Sequence, residues 1–228
     1  MTAAKSKIQI GPVALDVFPD DLKYYPIDEN IGFIENKDIA AIQKPFIEAI
    51  LKQEAKNRIE SPLMSKAEGG MKVRNLGDFD SPIFELLNER VKTFFMKATG
   101  AKTAVVDDCW ANVVRDGEYT LPHAHKRATA SVVYALDGGD DDGFEREPMN
   151  GLLIFADPRL ANCCQGKTGF VGTTISPPRA LRNYMIIFPA HITHLVTPYT
   201  GARPRISIAW NLNAHKVSGE LKHDGNIE

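Results

Sequence analysis

Cysteine is scarce in this chain of 228 residues: there are three, Cys109 and the adjacent pair Cys163 and Cys164. They form neither a CxxC nor an even framework, which excludes a disulfide-stapled scaffold and points to a reducing compartment with buried, idle thiols. Long apolar runs are also missing. No stretch reaches the roughly 20 residues that a membrane-spanning helix needs, and the opening residues, Met1 to Lys7, lack the apolar segment of a secretory signal. The expectation is a soluble, cytoplasmic protein without a membrane partner. Neither sign of charge is in excess, since 27 Lys and Arg against 29 Asp and Glu give a net charge of -2. Nucleic-acid binders usually carry a basic face, so a nucleic-acid partner is not expected. Internal repeats and low-complexity tracts are absent.

Two loops resemble ligand motifs and fail on their residues. The acidic stretch Asp137 to Gly143 has Gly138 at the first ligand position and Met149 at the twelfth when set on the EF-hand template, so it reads as a solvated loop. Gly166-Lys167-Thr168 has the ending of a phosphate loop, but Ala161 replaces the leading glycine and no helical pattern follows.

What is present changes character near residue 102. Before it, Ile39, Ile42, Phe46, Ile50 and Leu51 place a helix over residues 38–57, and Phe84, Leu87, Val91 and Phe94 place another over 82–98. Ser81-Pro82 opens the second with a capping hydroxyl and a proline at the first helical position, and Gly100 closes it. Residues 61–80, with Gly69-Gly70 and Gly77, read as a connection able to cover a cleft. After residue 102, short strands separated by turns are expected at 104–114, 129–136, 151–156, 184–188, 194–199 and 205–212. One domain over 1–228 follows, with a helical part at 1–101, a strand-rich core at 102–213 and a tail at 214–228.

The most informative residues lie in that core: Leu121-Pro-His-Ala-His125, then Phe188-Pro-Ala-His-Ile-Thr-His194, then Arg205-Ile-Ser207. On a strand, His123 and His125 share a face about 7 Å apart, close enough for both imidazoles to meet one ion. A third histidine from a distant strand would complete one face of an octahedron and leave positions open for substrate and dioxygen. His191 and His194 both qualify by distance from a strand. Asp157, before Pro158, is the nearest candidate carboxylate, and its place before proline favours a turn cap. Arg205 and Ser207, two apart on a strand, offer a planar fork and a hydroxyl to one carboxylate. Arg203 is the nearby alternative but precedes a proline.

Trp110-Ala-Asn112, Gly117, Pro122-His-x-His125, Ser131-Val-Val-Tyr134, Gly151 to Arg159, Ile186-Ile-Phe-Pro189, His194-x-Val-x-Pro198, Gly201 and Arg205-x-Ser-x-x-x-Asn211 stand in linked register. Together they resemble one branch of the iron(II) and 2-oxoglutarate-dependent oxygenases, over roughly residues 108–213. The resemblance implies a mainly β (α+β) fold, a double-stranded β-helix or jelly roll with the N-terminal helices packed outside. It implies His123, His125 and His194 as iron ligands, with His194 preferred over His191 because the residues after it match. It also implies Arg205 and Ser207 as the grip on the far carboxylate of 2-oxoglutarate, with Tyr134 able to reach the same carboxylate and Asn112 able to line its pocket. His125 stands where most of the superfamily has a carboxylate, although this branch also shows His-x-His.

The implied activity is hydroxylation of a second substrate coupled to oxidative decarboxylation of 2-oxoglutarate, with Fe(II), 2-oxoglutarate and dioxygen as the small partners. Two alternatives stand beside it. A cupin-like enzyme would use the three histidines without oxoglutarate and leave Arg205-x-Ser207 without a role. A non-enzymatic jelly-roll binding protein would hold no metal. The primary substrate is not legible, and a homo-oligomer stays open.

Overall fold

The computed structural model describes residues 5–22, 24–28, 31–61, 66–140, 147, 149–155 and 182–216. Asp157, Cys163 and Cys164 lie outside this set. Among these residues, twelve strands and two long helices follow in order: β1 (Lys7–Ile10), β2 (Val13–Asp16), β3 (Tyr24–Asp28), β4 (Ile31–Glu35), α1 (Lys44–Glu60), β5 (Met71–Val73), α2 (Pro82–Thr99), β6 (Val105–Val114), β7 (Thr120–His123), β8 (Ala130–Asp137), β9 (Leu153–Phe155), β10 (Tyr184–Pro189), β11 (His194–Val196) and β12 (Arg205–Asn213).

Helix α2 begins as its sequence dictates. The Ser81 hydroxyl accepts from the Phe84 amide at 3.5 Å, Pro82 follows, and Gly100 ends the helix with a φ of 71°. Its buried stripe, Ile83, Leu86, Leu87, Val91, Phe94 and Phe95, recurs every three or four residues and packs on a sheet. Each such side chain stabilises the fold by about 1.5–3 kcal/mol. Arg90 sits fully buried in the same stripe, and its guanidinium donates to the Val17 and Asp16 carbonyls, Asn36 Oδ1 and both oxygens of Asp38. That single side chain ties α2 to the β1–β2 hairpin and to the turn after β4.

The strands form a seven-stranded antiparallel sheet in the order β3-β4-β10-β8-β12-β6-β5, a three-stranded sheet β7-β11-β9, and the separate hairpin β1-β2. One face of the large sheet meets the helices through Val132, Tyr134, Leu136, Met185, Ile187, Ile206, Ile208, Trp210 and Leu212. The alternate residues face the small sheet. There Ile31, Leu153, Phe155, Ile186 and Phe188 form a second apolar cluster between the two sheets. Two facing sheets with helices packed outside one of them make a jelly roll, the double-stranded β-helix.

The N-terminal hundred residues are less purely helical than expected. They also supply β1 to β5, and β3, β4 and β5 extend the large sheet at both of its edges. These strands are three to five residues long, too short for alternation to stand out from the surrounding chain. Two glycines set up β5 in particular. A Cβ on Gly70, whose φ is +80°, would lie 2.3 Å from the Val113 carbonyl oxygen, so only glycine lets the chain come this close to β6.

Candidate metal and cosubstrate site

Strands β7 and β11 of the small sheet pair with His123 directly opposite His194. His123 is the last residue of β7, and His125 follows in the turn, where its amide donates to the Ala190 carbonyl at 2.8 Å. The two histidines therefore converge across the end of a strand and not along one. A nitrogen from each of His123, His125 and His194 lies within 4.8 Å of the other two. His191 is exposed and outside the cluster, while His194 is only 4% exposed.

Hydrogen bonds prepare two of the rings. Nδ1 of His123 lies 2.9 Å from the Leu121 carbonyl and Nδ1 of His194 lies 3.0 Å from that of Ile192. A carbonyl only accepts, so each Nδ1 carries the proton and each Nε2 presents its lone pair. Burial, reinforced by mutual repulsion, holds His125 down at about 4 and His194 down at about 3, and burial lowers His123 as well. Three neutral imidazoles with convergent lone pairs near neutral pH are a donor set that suits a divalent first-row metal such as Fe(II). Phe188, 4.8 Å from the His194 ring, and Phe155, at 6.3 Å, wall the cluster on the inner side.

The inner face of the large sheet lies opposite. Because Ile206 and Ile208 face the helices, Arg205, Ser207, Ala209 and Asn211 on β12 face inward. Pairing aligns Lys72, Asn112, Ser207 and Ala135 in one row across four strands, and Trp110, Ala209 and Val133 in the next. Arg205 is 5% exposed and Ser207 4%. Among the described residues, neither the guanidinium nor the hydroxyl has a hydrogen-bond partner, and Arg205 Nε is wholly enclosed. Burial lowers Arg205 to about 10. An uncompensated buried cation is costly, by several kcal/mol, so this pocket is built for an anion. Gly151 makes room for it: a Cβ there would lie 3.1 Å from Arg205 Cδ and 3.1 Å from the Tyr199 ring.

Asn112 faces inward beside Ser207, its Oδ1 accepting from Trp110 Nε1 at 3.0 Å. Tyr134 is not brought to the site. It alternates with Val133 onto the helix side, where its hydroxyl lies 2.9 Å from Gln43 Oε1 and 3.2 Å from Asn183 Oδ1. Arg203 is exposed and donates to Asp137 at 2.8 Å, outside the barrel. Sequence reasoning overlooked Lys72. Its ammonium stands 5.7 Å from the centroid of the Trp110 ring, which is itself 6.0 Å from that of His125, and its charge bears on both His123 and His125. The available signal was Gly69-Gly70, which marks a close backbone approach just before it.

Residues 108–211 match the model of the family described as "Putative 2OG-Fe(II) oxygenase". This stretch, a little under half of the chain, is similar to that family and holds His123, His125, His194, Arg205 and Ser207. The family is named for Fe(II) and 2-oxoglutarate, and the histidine cluster in the matched stretch has a donor set suited to the first. Solved structures agree on the fold. The viral collagen prolyl hydroxylase vCPH from Paramecium Bursaria Chlorella virus-1, solved as its 2OG complex, has a TM-score of 0.52 at 13% identity, covering 80% of this chain and 95% of its own. The non-heme alpha ketoglutarate dependent epimerase SnoN from nogalamycin biosynthesis also has a TM-score of 0.52, at 12% identity, covering 81% of this chain and 77% of its own. No curated sequence matches the chain. No helix among the described residues is long and apolar enough to cross a membrane.

Proposed function

We propose that this protein couples the oxidative decarboxylation of 2-oxoglutarate to hydroxylation of a second substrate, with Fe(II) held by His123, His125 and His194. The observation that carries the cosubstrate is Arg205, a buried guanidinium without a partner among the described residues, beside the Ser207 hydroxyl on the barrel's inner face. Iron bound at the histidines would supply activation of dioxygen for the attack on the keto acid and for oxidation of the second substrate.

The chain's own part is positioning and exclusion. Arg205 and Ser207 hold the far carboxylate of 2-oxoglutarate through charge-assisted hydrogen bonds, which aims its keto acid end at the histidine cluster. The side-chain amide of Asn112 lines the pocket next to Ser207. Phe155, Phe188, Ile186 and Val133 keep water from the space between the sheets. The carbonyls of Leu121 and Ile192 hold the protons on Nδ1, so His123 and His194 keep their donor atoms fixed while other ligands come and go. A cupin-like enzyme using the same histidines would need no buried cation, and Arg205 therefore favours the oxoglutarate reading.

The test is an anaerobic titration of the Fe(II) protein with 2-oxoglutarate. A visible metal-to-ligand charge-transfer band that saturates at one equivalent is expected, followed by succinate on admission of oxygen. No band and no succinate would remove the proposal.

A further inference from the structure

Resting on the reading above, the remaining question is what the second substrate carries. Strand β5 is the edge of the large sheet, and Lys72 stands on it in the same row as Asn112 and Ser207. Two strand spacings put its backbone roughly 9–10 Å from that of Ser207. Lys72 is exposed, yet its ammonium is held over Trp110, whose ring centroid is 6.0 Å from that of His125.

Two neighbouring arginines are ion-paired. Arg74, which also lies over Trp110, donates to both oxygens of Asp108 at 3.3 Å, and Arg127 donates to Asp107 at 3.2 Å. Lys72 differs. Glu68 and Asp108 act on it only at longer range, and among the described residues it makes no ion pair. Lys72 thus presents a positive charge without an ion pair among the described residues, restrained by an aromatic face worth about 0.5–1 kcal/mol in such contacts.

We propose that Lys72 recognises a carboxylate on the primary substrate and holds that substrate against Trp110, beside the histidine cluster. A single point charge suits a monoanion, whereas a phosphate would draw a second cation or an arginine fork, and Arg74 is already spent on Asp108. The cosubstrate has no need of Lys72. Its far carboxylate belongs to the enclosed Arg205, and its keto acid end belongs to the metal. Lys72 is in this sense a specificity residue for the second substrate.

The probes are N-acetylglycine, isovalerate and 3-phenylpropionate, each compared with its primary amide, on protein loaded with zinc(II) and 2-oxoglutarate, which cannot turn over. The chain has two tryptophans, and Trp210 is fully buried on the helix side, stacked on Phe84, so emission changes report Trp110. The expected result is an acid bound at least tenfold more tightly than its amide, a preference abolished in Lys72→Met and largely kept in Lys72→Arg. Affinity for 2-oxoglutarate should stay unchanged in Lys72→Met. The proposal is overturned if acids and amides bind alike, if no acid binds, if the preference survives Lys72→Met, or if Lys72→Met acts on 2-oxoglutarate instead. Failure of the parent reading would show separately, as absence of 2-oxoglutarate binding and of succinate formation in the unaltered iron protein.

Discussion

His123 and His194 face each other across the β7–β11 pair with ring centroids 4.2 Å apart, nearer than either lies to His125. A strand pairing, set by backbone hydrogen bonds, fixes this contact, while His125 arrives from a turn. Removal of any of the three should lower iron affinity about tenfold or more, since each supplies a bond and part of the preorganisation. His191→Ala, at an exposed residue, should leave iron content near that of the parent. Metal analysis after dialysis against graded iron(II) checks this, and equal losses for His191→Ala and His194→Ala would contradict the assignment.

Arg205→Ala should raise the 2-oxoglutarate concentration needed for turnover, a loss on the order of 2–5 kcal/mol for one partner of an enclosed charge pair, while metal content stays intact. Arg205→Lys should recover part of it, giving a point charge where a fork was. Steady-state kinetics in 2-oxoglutarate decides; an unchanged KM would move the grip elsewhere.

His125 is the ligand of least fixed geometry. His125→Asp should retain iron and 2-oxoglutarate binding, because a carboxylate in the turn still offers a donor atom. His125→Ala should lose most of both. The shorter side chain shifts the metal, so oxidation of the second substrate should fall more than binding does. Metal content and succinate release are to be measured separately, and full binding by His125→Ala would exclude it as a ligand.

Tyr134→Phe should leave 2-oxoglutarate affinity unchanged and cost about 1–3 kcal/mol of stability, because it strips a buried partner from Gln43 and Asn183. Denaturant melts and cosubstrate kinetics read the two effects independently. A rise in KM for 2-oxoglutarate would return Tyr134 to the site.

In the metal-free protein, His125 at about 4 and His194 at about 3 lie below the unfolded histidine value of about 6.5. Between those limits the unfolded chain binds more protons than the folded one, so stability rises with pH and is lost as pH falls from about 6.5 toward 3–4. Melting temperatures of the metal-free protein from pH 7.5 to 4 should drop along this window, and His194→Asn should flatten the slope. Parallel curves for parent and variant would contradict it.

The strand-rich core was legible because its strands are bounded by glycine, proline and acidic turns. β6, β8, β10, β11 and β12 fall within the expected ranges or a residue beyond them. Helix α2 was legible from its caps. The placement of Tyr134 was not, because a strand buried on both faces, Ala130–Asp137, has no polar side to show which residues look inward. Arg205 and Ser207 could be matched to a pattern, but only the fold shows that they lack partners among the described residues. Lys72 escaped because a three-residue strand has no periodicity, and a lone lysine acquires meaning only from the aromatic ring beneath it.

All three histidines belong to the small sheet and its turns, whereas Arg205, Ser207 and Asn112 belong to the large one. A dicarboxylate reaching from the metal to Arg205 would therefore act as a removable cross-link between two layers otherwise joined by apolar packing and loops. Its effect on rigidity should depend on the metal: oxoglutarate added to metal-loaded protein clamps both sheets, and added to metal-free protein grips only one. The barrel is then loosest when empty, which is when a substrate must enter.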